Sequence, residues 1–414
     1  MEIKQQLFDH IDSRQNDAVA TLQRLVQFPT VNPPGNEKGH QDYIAAELQA
    51  LGLDVKMIEA IEGRPNLVAI LHGAGGGNNL LHYAGHADVV SAGDESKWTF
   101  PPFSGEVHDG WIYGRGAVDH KAPIAASLVA IRAIVENGIK LNGDIVFLVP
   151  VDEELGSMYG TKYLLEQDAL YGDMGIYASA GFLEQVLISC SGSVRFDVEI
   201  FGRTAHGGYA HRGINAVEKA SKLVLALQSM EFDKVNPFWE PGNEHDRLKP
   251  TRTGSLTVTR IEGGTGSSVV PDKCIVQASR RLIPNETVDE AKQQIEAVLQ
   301  QLRSDDPDYQ AEVRYVSTVN GINTSADNPI VDFVSSAVRD IGLEPQIDGS
   351  SGGFDARWIV DKLGIPFVSY GAGWNGPDGG LCLHTENEAI TIDNLMGMAR
   401  AYAMIMVRTC GIAE

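Results

Sequence analysis

Residues 79–93 read NLLHYAGHADVVSAG. The apolar opening, of strand length and followed by a glycine, reads as a buried strand. It runs out onto His86 and Asp88, two positions apart. Such an ending has two explanations: a polar turn, or a metal ligand with the carboxylate that orients it. Working outward, NLVAILHG (66–73), DIVFLVPV (144–151) and MGIYAS (174–179) are further near-continuous apolar runs. Helical patterns such as EKGHQDYIAAELQALG (37–52) and HKAPIAASLVAIRAIVENG (120–138) alternate with them. Strands apolar on both faces and separated by helices predict an α/β domain with a mostly parallel, doubly wound sheet and helices on both faces. The texture returns near the end, where NPIVDFVSSAVRDIG, PFVSYGAG and IDNLMGMARAYAMIMVR read as helix, strand and helix.

The middle of the chain differs. SVRFDVEIFG (193–202) and GSLTVTRIEGG (254–264) alternate apolar and polar residues, as half-exposed antiparallel strands do. The amphipathic patterns NAVEKASKLVLALQSM (215–230) and TVDEAKQQIEAVLQQL (287–302) accompany them. The expected organisation is a catalytic domain from residues 1–187 and 318–414, interrupted by a two-layer α+β insert over 188–317.

At 414 residues the chain is long for a single core, which agrees with two domains. Hydrophobic residues make up 43% and charged residues 21%, a globular balance, and no apolar run reaches membrane-spanning length. A net charge of −22 without a basic stripe argues against a nucleic-acid partner. Four widely spaced cysteines (Cys190, Cys274, Cys382, Cys410) match neither a disulfide framework nor a zinc finger. With no secretory pattern at the N-terminus, a reducing cytoplasmic setting is the expectation.

In an open α/β sheet, sites form beyond the carboxyl ends of the strands. His86 and Asp88 fall there, and so do Asp152, Glu153 and Glu154, just past DIVFLVPV. Asp119 lies in GRGAVDHK, a glycine-rich turn into a helix, and His384 lies in CLHTENEAI after PFVSYGAG. Taken singly, each has an ordinary reading: a loop histidine, a solvated carboxylate pair, a helix cap. Together the donors suit zinc, or two divalent ions sharing a bridging carboxylate.

One pattern requires all of them. GHADVV, KWTFPPFSGEVHDGWIYGRGAVDHK, VDEELGS, GRTAHGG with GINAV, VVPD with RRLIP, GGFDAR and HTENEAI occur in order along nearly the whole chain. In these blocks the sequence resembles the co-catalytic zinc amidohydrolase and exopeptidase family of acetylornithine deacetylase, succinyl-diaminopimelate desuccinylase and carboxypeptidase G. The resemblance implies that His86 binds one zinc and His384 the other, that Asp119 bridges them, and that Glu154 joins the His384 ion. Cobalt or manganese could substitute for zinc. It further implies Glu153 as general base and Asp88 as the carboxylate that fixes the His86 tautomer. It makes the insert a dimerisation and lid domain that sends His206 into the partner's site, and it makes Arg281 the grip on a substrate carboxylate. Ser268, before VVP, and Gly352 and Gly353, at the head of GGFDAR, become substrate-binding candidates.

The sequence departs from that pattern at Ser179. A carboxylate ligand is expected three residues after the isoleucine of DMGIYASAG, and a neutral serine stands there. Glu184 is the nearest carboxylate that could replace it. Ser268, Ser279 and Ser91 are smaller departures, standing for the usual Asn, Asp and Pro. The expected activity is metal-dependent hydrolysis of an amide next to a free carboxylate, with N-acyl amino acids as first-choice substrates. Carboxypeptidase or dipeptidase action is the alternative, as is a catalytically impaired homologue because of Ser179. The expected partners are a small carboxylate substrate and a second copy of the chain.

Overall fold

The computed structural model describes residues 2–242 and 250–413. The chain forms two compact units. The first comprises Met1–Ile188, Thr324–Asp348 and Phe354–Glu414; the second comprises Ser189–Asn323 and Gly349–Gly353. The principal strands of the two larger sheets are, in chain order, β1 (Asp54–Glu59), β2 (Pro65–Leu71), β3 (Leu80–Tyr83), β4 (Ile145–Val149), β5 (Met174–Ser179), β6 (Gln185–Cys190), β7 (Gly192–Phe201), β8 (Ser255–Gly263), β9 (Lys273–Leu282), β10 (Gln310–Val319) and β11 (Phe367–Gly371).

Seven of the nine strands of the larger sheet run in the order β1-β2-β4-β3-β5-β11-β6. Its centre is parallel: β3 pairs with β4 and with β5, and β5 pairs with β11. The flanks β1–β2, β2–β4 and β11–β6 are antiparallel. Every residue of β3, β4 and β11 is buried, the signature of strands covered on both faces, and their Val, Ile, Leu and Phe content supplies that burial. The helices Lys121–Glu136 and Ile392–Cys410 pack against one another and are themselves largely buried. Register then fixes where the chemistry falls. Tyr83 stands beside Leu148 and Tyr177, and Ser179 stands beside Gly371. The residues that follow β3, β4, β5 and β11 therefore emerge along one edge.

The second unit has a four-stranded antiparallel sheet in the order β8-β9-β7-β10. Val194, Phe196, Val198 and Ile200 point from β7 into a core shared with Cys274 and Val276 of β9. Leu223 and Leu227 of helix Ala216–Gln228, with Ile295 and Leu299 of helix Val288–Asp305, close that core. The second helix begins with a capping box in which Thr287 and Glu290 satisfy each other's backbone N–H. The boundary expected at 317/318 falls inside β10. Thr318 and Val319 still pair with Val194 and Ser193, so the ladder carries this unit to the end of the strand.

Candidate metal centre

His86 follows β3 and is 2% exposed. Its Nε2 lies 3.1 Å from Asp119 Oδ1. The other oxygen of Asp119, Oδ2, lies 3.2 Å from His384 Nε2, and that nitrogen is also 3.2 Å from Glu154 Oε1. One carboxylate therefore stands between two imidazoles that are 298 positions apart in the chain. Asp119 is fixed from behind by Glu388, whose Oε1 accepts the backbone N–H of Val118 (2.8 Å) and of Asp119 (2.9 Å). Arg115 donates to Glu388 Oε2 at 2.6 Å, in a pair buried on both sides.

Asp88 meets His86 through both its carbonyl and its carboxylate. His86 Nδ1 is hydrogen-bonded to the backbone carbonyl of Asp88 at 2.9 Å, whereas the Asp88 carboxylate is 3.6 Å away. That carboxylate also accepts the backbone N–H of Glu153 (3.1 Å) and of Glu154 (3.3 Å), with a further bond from Asn32 Nδ2 at 2.9 Å. Asn32 also reaches Asp152 Oδ1 at 3.1 Å. Asp152 adopts left-handed backbone (φ 67°), a conformation costly for a residue with a Cβ. The N–H groups of Ser157 and Tyr159 hold it there through its carbonyl and carboxylate. The turn carrying the two glutamates is thus shaped by buried polar contacts rather than by apolar packing.

Electrostatics at the centre are tense. Burial raises the Asp119 carboxyl, but hydrogen bonds to the His384 and His86 imidazoles outweigh it and hold the group well below the usual carboxylate range. Burial lowers His86, yet its contacts with Asp119 and Asp88 push it well above an ordinary histidine. His384, half exposed, is raised to about 10 by Asp119 and Glu154. Glu153 Oε2 lies 3.8 Å from His86 Nε2, and burial pushes its carboxyl well above the usual range, opposed by His86 and reinforced by Asp355, Glu154 and Asp119. Four carboxylates, those of Glu153, Glu154, Asp119 and Asp355, thus act on one another in this corner, with the His86 imidazole opposing the rise at Glu153.

The donor set fits divalent metal ions. Asp119, Glu154 and His384 offer ligand atoms within 4.8 Å of one another, and so do His86, Asp119 and His120. Nitrogen and oxygen donors in threes, one carboxylate common to both groups, suit zinc or a similar ion. His120 Nδ1 is a buried polar atom without a hydrogen-bond partner among the described residues, as a nitrogen awaiting a ligand would be.

The remaining candidates lie as follows. Ser179 closes β5 at the same edge, and Glu184 belongs to neither group of converging donors among the described residues. In the second unit, exposed His206 accepts the Gly208 N–H through Nδ1 at 3.1 Å, and Ser268 is its neighbour through the bond from Gly207 N to the Ser268 carbonyl (2.7 Å). Of the adjacent arginines, Arg280 is buried, paired with Glu286 and stacked on Phe232, whereas Arg281 lies on the exposed face of β9 with Arg195, Thr257 and Ser279 around one groove. Gly352 accepts the Ser191 N–H through its carbonyl at 2.9 Å, and Gly353 precedes the return to the first unit. Sequence reasoning passed over Asn32, His120, Asp355 and Glu388. Asp355 is 2% exposed and accepts from Thr161 Oγ1 at 2.6 Å and from Ser157 Oγ. It stands inside GGFDAR and Glu388 inside HTENEAI, so the blocks were visible but the roles were not. His120 and Asn32 carried no signal beyond adjacency to Asp119 and to a proline.

Residues 82–408 match the model of peptidase family M20/M25/M40. Among solved structures, the chain is similar to an aminopeptidase PepT from Bacillus cereus at 23% identity, covering 96% of this chain and 99% of that one with a TM-score of 0.74. An M20 family metallo-carboxypeptidase from Sulfolobus solfataricus matches at 20% identity over 95% and 98%, with a TM-score of 0.73. A dinuclear metal-binding M20 peptidase from Bacillus subtilis matches at 16% identity over 97% and 100%, with a TM-score of 0.69. Among the described residues no helix is long and apolar enough to cross a membrane.

Proposed function

The chain belongs to peptidase family M20/M25/M40 and is a metal-dependent hydrolase; from that premise we propose that it cleaves an amide bond next to a free carboxylate, with N-acyl amino acids as the first-choice substrates. The observation that carries this reading is Asp119 held between His86 and His384 at 3.1 and 3.2 Å, with Glu153 beside them. His86 and Asp119 would hold one ion, and Asp119, Glu154 and His384 the other, with zinc the first choice and cobalt or manganese as substitutes. Bound there, divalent ions would polarise the scissile carbonyl and acidify an attacking water.

The protein's own groups do the rest. Glu153 takes the proton of the attacking water and hands it to the departing amine nitrogen, a transfer its partly exposed carboxyl can make from beside His86. Asp88 keeps Glu153 aimed by holding its backbone N–H. Arg281, exposed on β9, offers a planar fork that matches a carboxylate. The second unit pairs with its equivalent in a homodimer, and His206 polarises the carbonyl in the partner's site. The similar structures described as an aminopeptidase and a metallo-carboxypeptidase favour exopeptidase action as a second reading.

Chelated protein reloaded with zinc, cobalt or manganese and screened against N-acetyl and N-succinyl amino acids and short peptides tests both. Each substrate is paired with its C-terminal carboxamide. Hydrolysis of the acids with the amides left intact supports the proposal; equal turnover of the two overturns the carboxylate requirement.

A further inference from the structure

The ion at His86 has a shortfall. The strand end that should supply a carboxylate carries Ser179, leaving His86 and Asp119 as protein ligands. The next residue after Asp119 offers a donor. His120 is 2% exposed, and its Nδ1 makes no hydrogen bond among the described residues. Leaving a buried polar atom unpaired is costly, so such an atom calls for a partner. The ligand atoms of His86, Asp119 and His120 lie within 4.8 Å of one another. Donors ~2.0–2.2 Å from a shared ion are at most ~4.4 Å apart, so a small closure of side chains brings the three onto one ion. The imidazole is already packed: its ring is 4.6 Å from that of His86 and 5.2 Å from that of Tyr177. Tyr177 in turn stacks on Phe354 at 4.6 Å.

We propose that His120 is the third protein ligand of the ion at His86 and Asp119, supplying the donor that Ser179 does not. The proposal rests on the two-ion reading of the centre. It gives the two sites similar ligand counts, with a second neutral imidazole on one ion where the other has a carboxylate. The alternative for His120 is an imidazole buried for packing alone.

The test uses full-length protein stripped by a chelator and reloaded with Co²⁺, with metal content read by mass spectrometry after equilibrium dialysis. Wild type is expected to hold two ions per chain. His120→Phe keeps a ring against His86 and Tyr177 but has no donor. It should retain one ion and bind the other more than ~tenfold more weakly, the scale that even loss of an outer partner of a metal ligand reaches. Adding Ser179→Asp to His120→Phe should restore the second ion. Two ions bound by His120→Phe with wild-type affinity overturn the proposal. Wild type that takes up no Co²⁺ overturns the metal-centre reading itself, a result distinguishable from the first. Should His120→Phe fail to fold, Co²⁺-loaded wild type still decides, because each coordinated imidazole gives one shifted, exchangeable N–H proton resonance. Three such resonances support His120 as a ligand, and two overturn it.

Discussion

The carboxylate of Asp88 accepts the backbone N–H of Glu153 at 3.1 Å, and so ties the chain leaving β3 to the chain leaving β4. The same carboxylate holds Glu154 N at 3.3 Å, while the imidazole of His86 is served by the Asp88 carbonyl. Asp88 therefore acts on the glutamates as well as on the histidine.

Asp88→Asn turns that arrangement into a test. An amide presents an NH₂ group to one of the two backbone N–H donors, and two donors cannot share a bond. Turnover should fall by an order of magnitude or more, while metal affinity at His86 stays within a few-fold of wild type. A loss of ~10–100-fold in metal affinity is what removal of a histidine-orienting partner would give, and steady-state kinetics beside metal titration separates the two.

Glu153→Gln keeps size and hydrogen-bonding capacity but cannot carry the proton. Metal content should be unchanged and kcat should drop by ~10²–10⁴. A rate above about a tenth of wild type would remove Glu153 from the role of general base.

Metal uptake should release protons. Without an ion, hydrogen bonds to Asp119 and Glu154 raise His384 from 6.5 to about 10, and Asp119 and Asp88 hold His86 well above its ordinary value against the effect of burial. His384 is then protonated at neutral pH, His86 is shifted in the same direction, and a ligand imidazole must be neutral. Apparent affinity should rise with pH and level off as the raised values are passed. The sign for stability is the reverse. In chelated protein the His384 contacts contribute fully below pH 6.5, and that contribution is lost as pH rises through about 10. Calorimetry in buffers of different ionisation enthalpy should count at least one proton released at pH 7, that of His384; release of none contradicts the assignment.

Glu388→Ala should be among the most damaging substitutions far from the substrate. It leaves Arg115 buried without its partner and frees the N–H groups of Val118 and Asp119. Breaking a buried pair by removing one member costs ~3–5 kcal/mol, which denaturant unfolding of the chelated protein measures directly.

Mixed dimers test the proposed exchange of His206. Glu153→Ala and His206→Ala subunits, each inactive, should regain part of the activity when mixed, because one site in each mixed dimer receives both intact groups. A fully active monomer in sedimentation would rule the exchange out.

The amino-acid sequence was enough for the α/β core, because short apolar runs rich in β-branched and aromatic residues, such as DIVFLVPV, read as strands covered on both faces, and it marked the strand ends where His86, Glu153 and Glu154 stand. It also separated the alternating strands of the second unit, since Val194, Phe196, Val198 and Ile200 bury one face only. What those patterns left open is any contact that depends on where a polar atom points. The choice between the carbonyl and the carboxylate of Asp88 as partner of His86 turns on under an ångström, and residue identity does not encode it. Arg280 and Arg281 are adjacent and alike in sequence, yet strand alternation sends one into the core against Glu286 and the other to the surface. His120 and Glu388 gain their meaning only when the fold brings residues 86, 119 and 388 together, because a buried donor or acceptor has no strength until its partner, or the want of one, is in place.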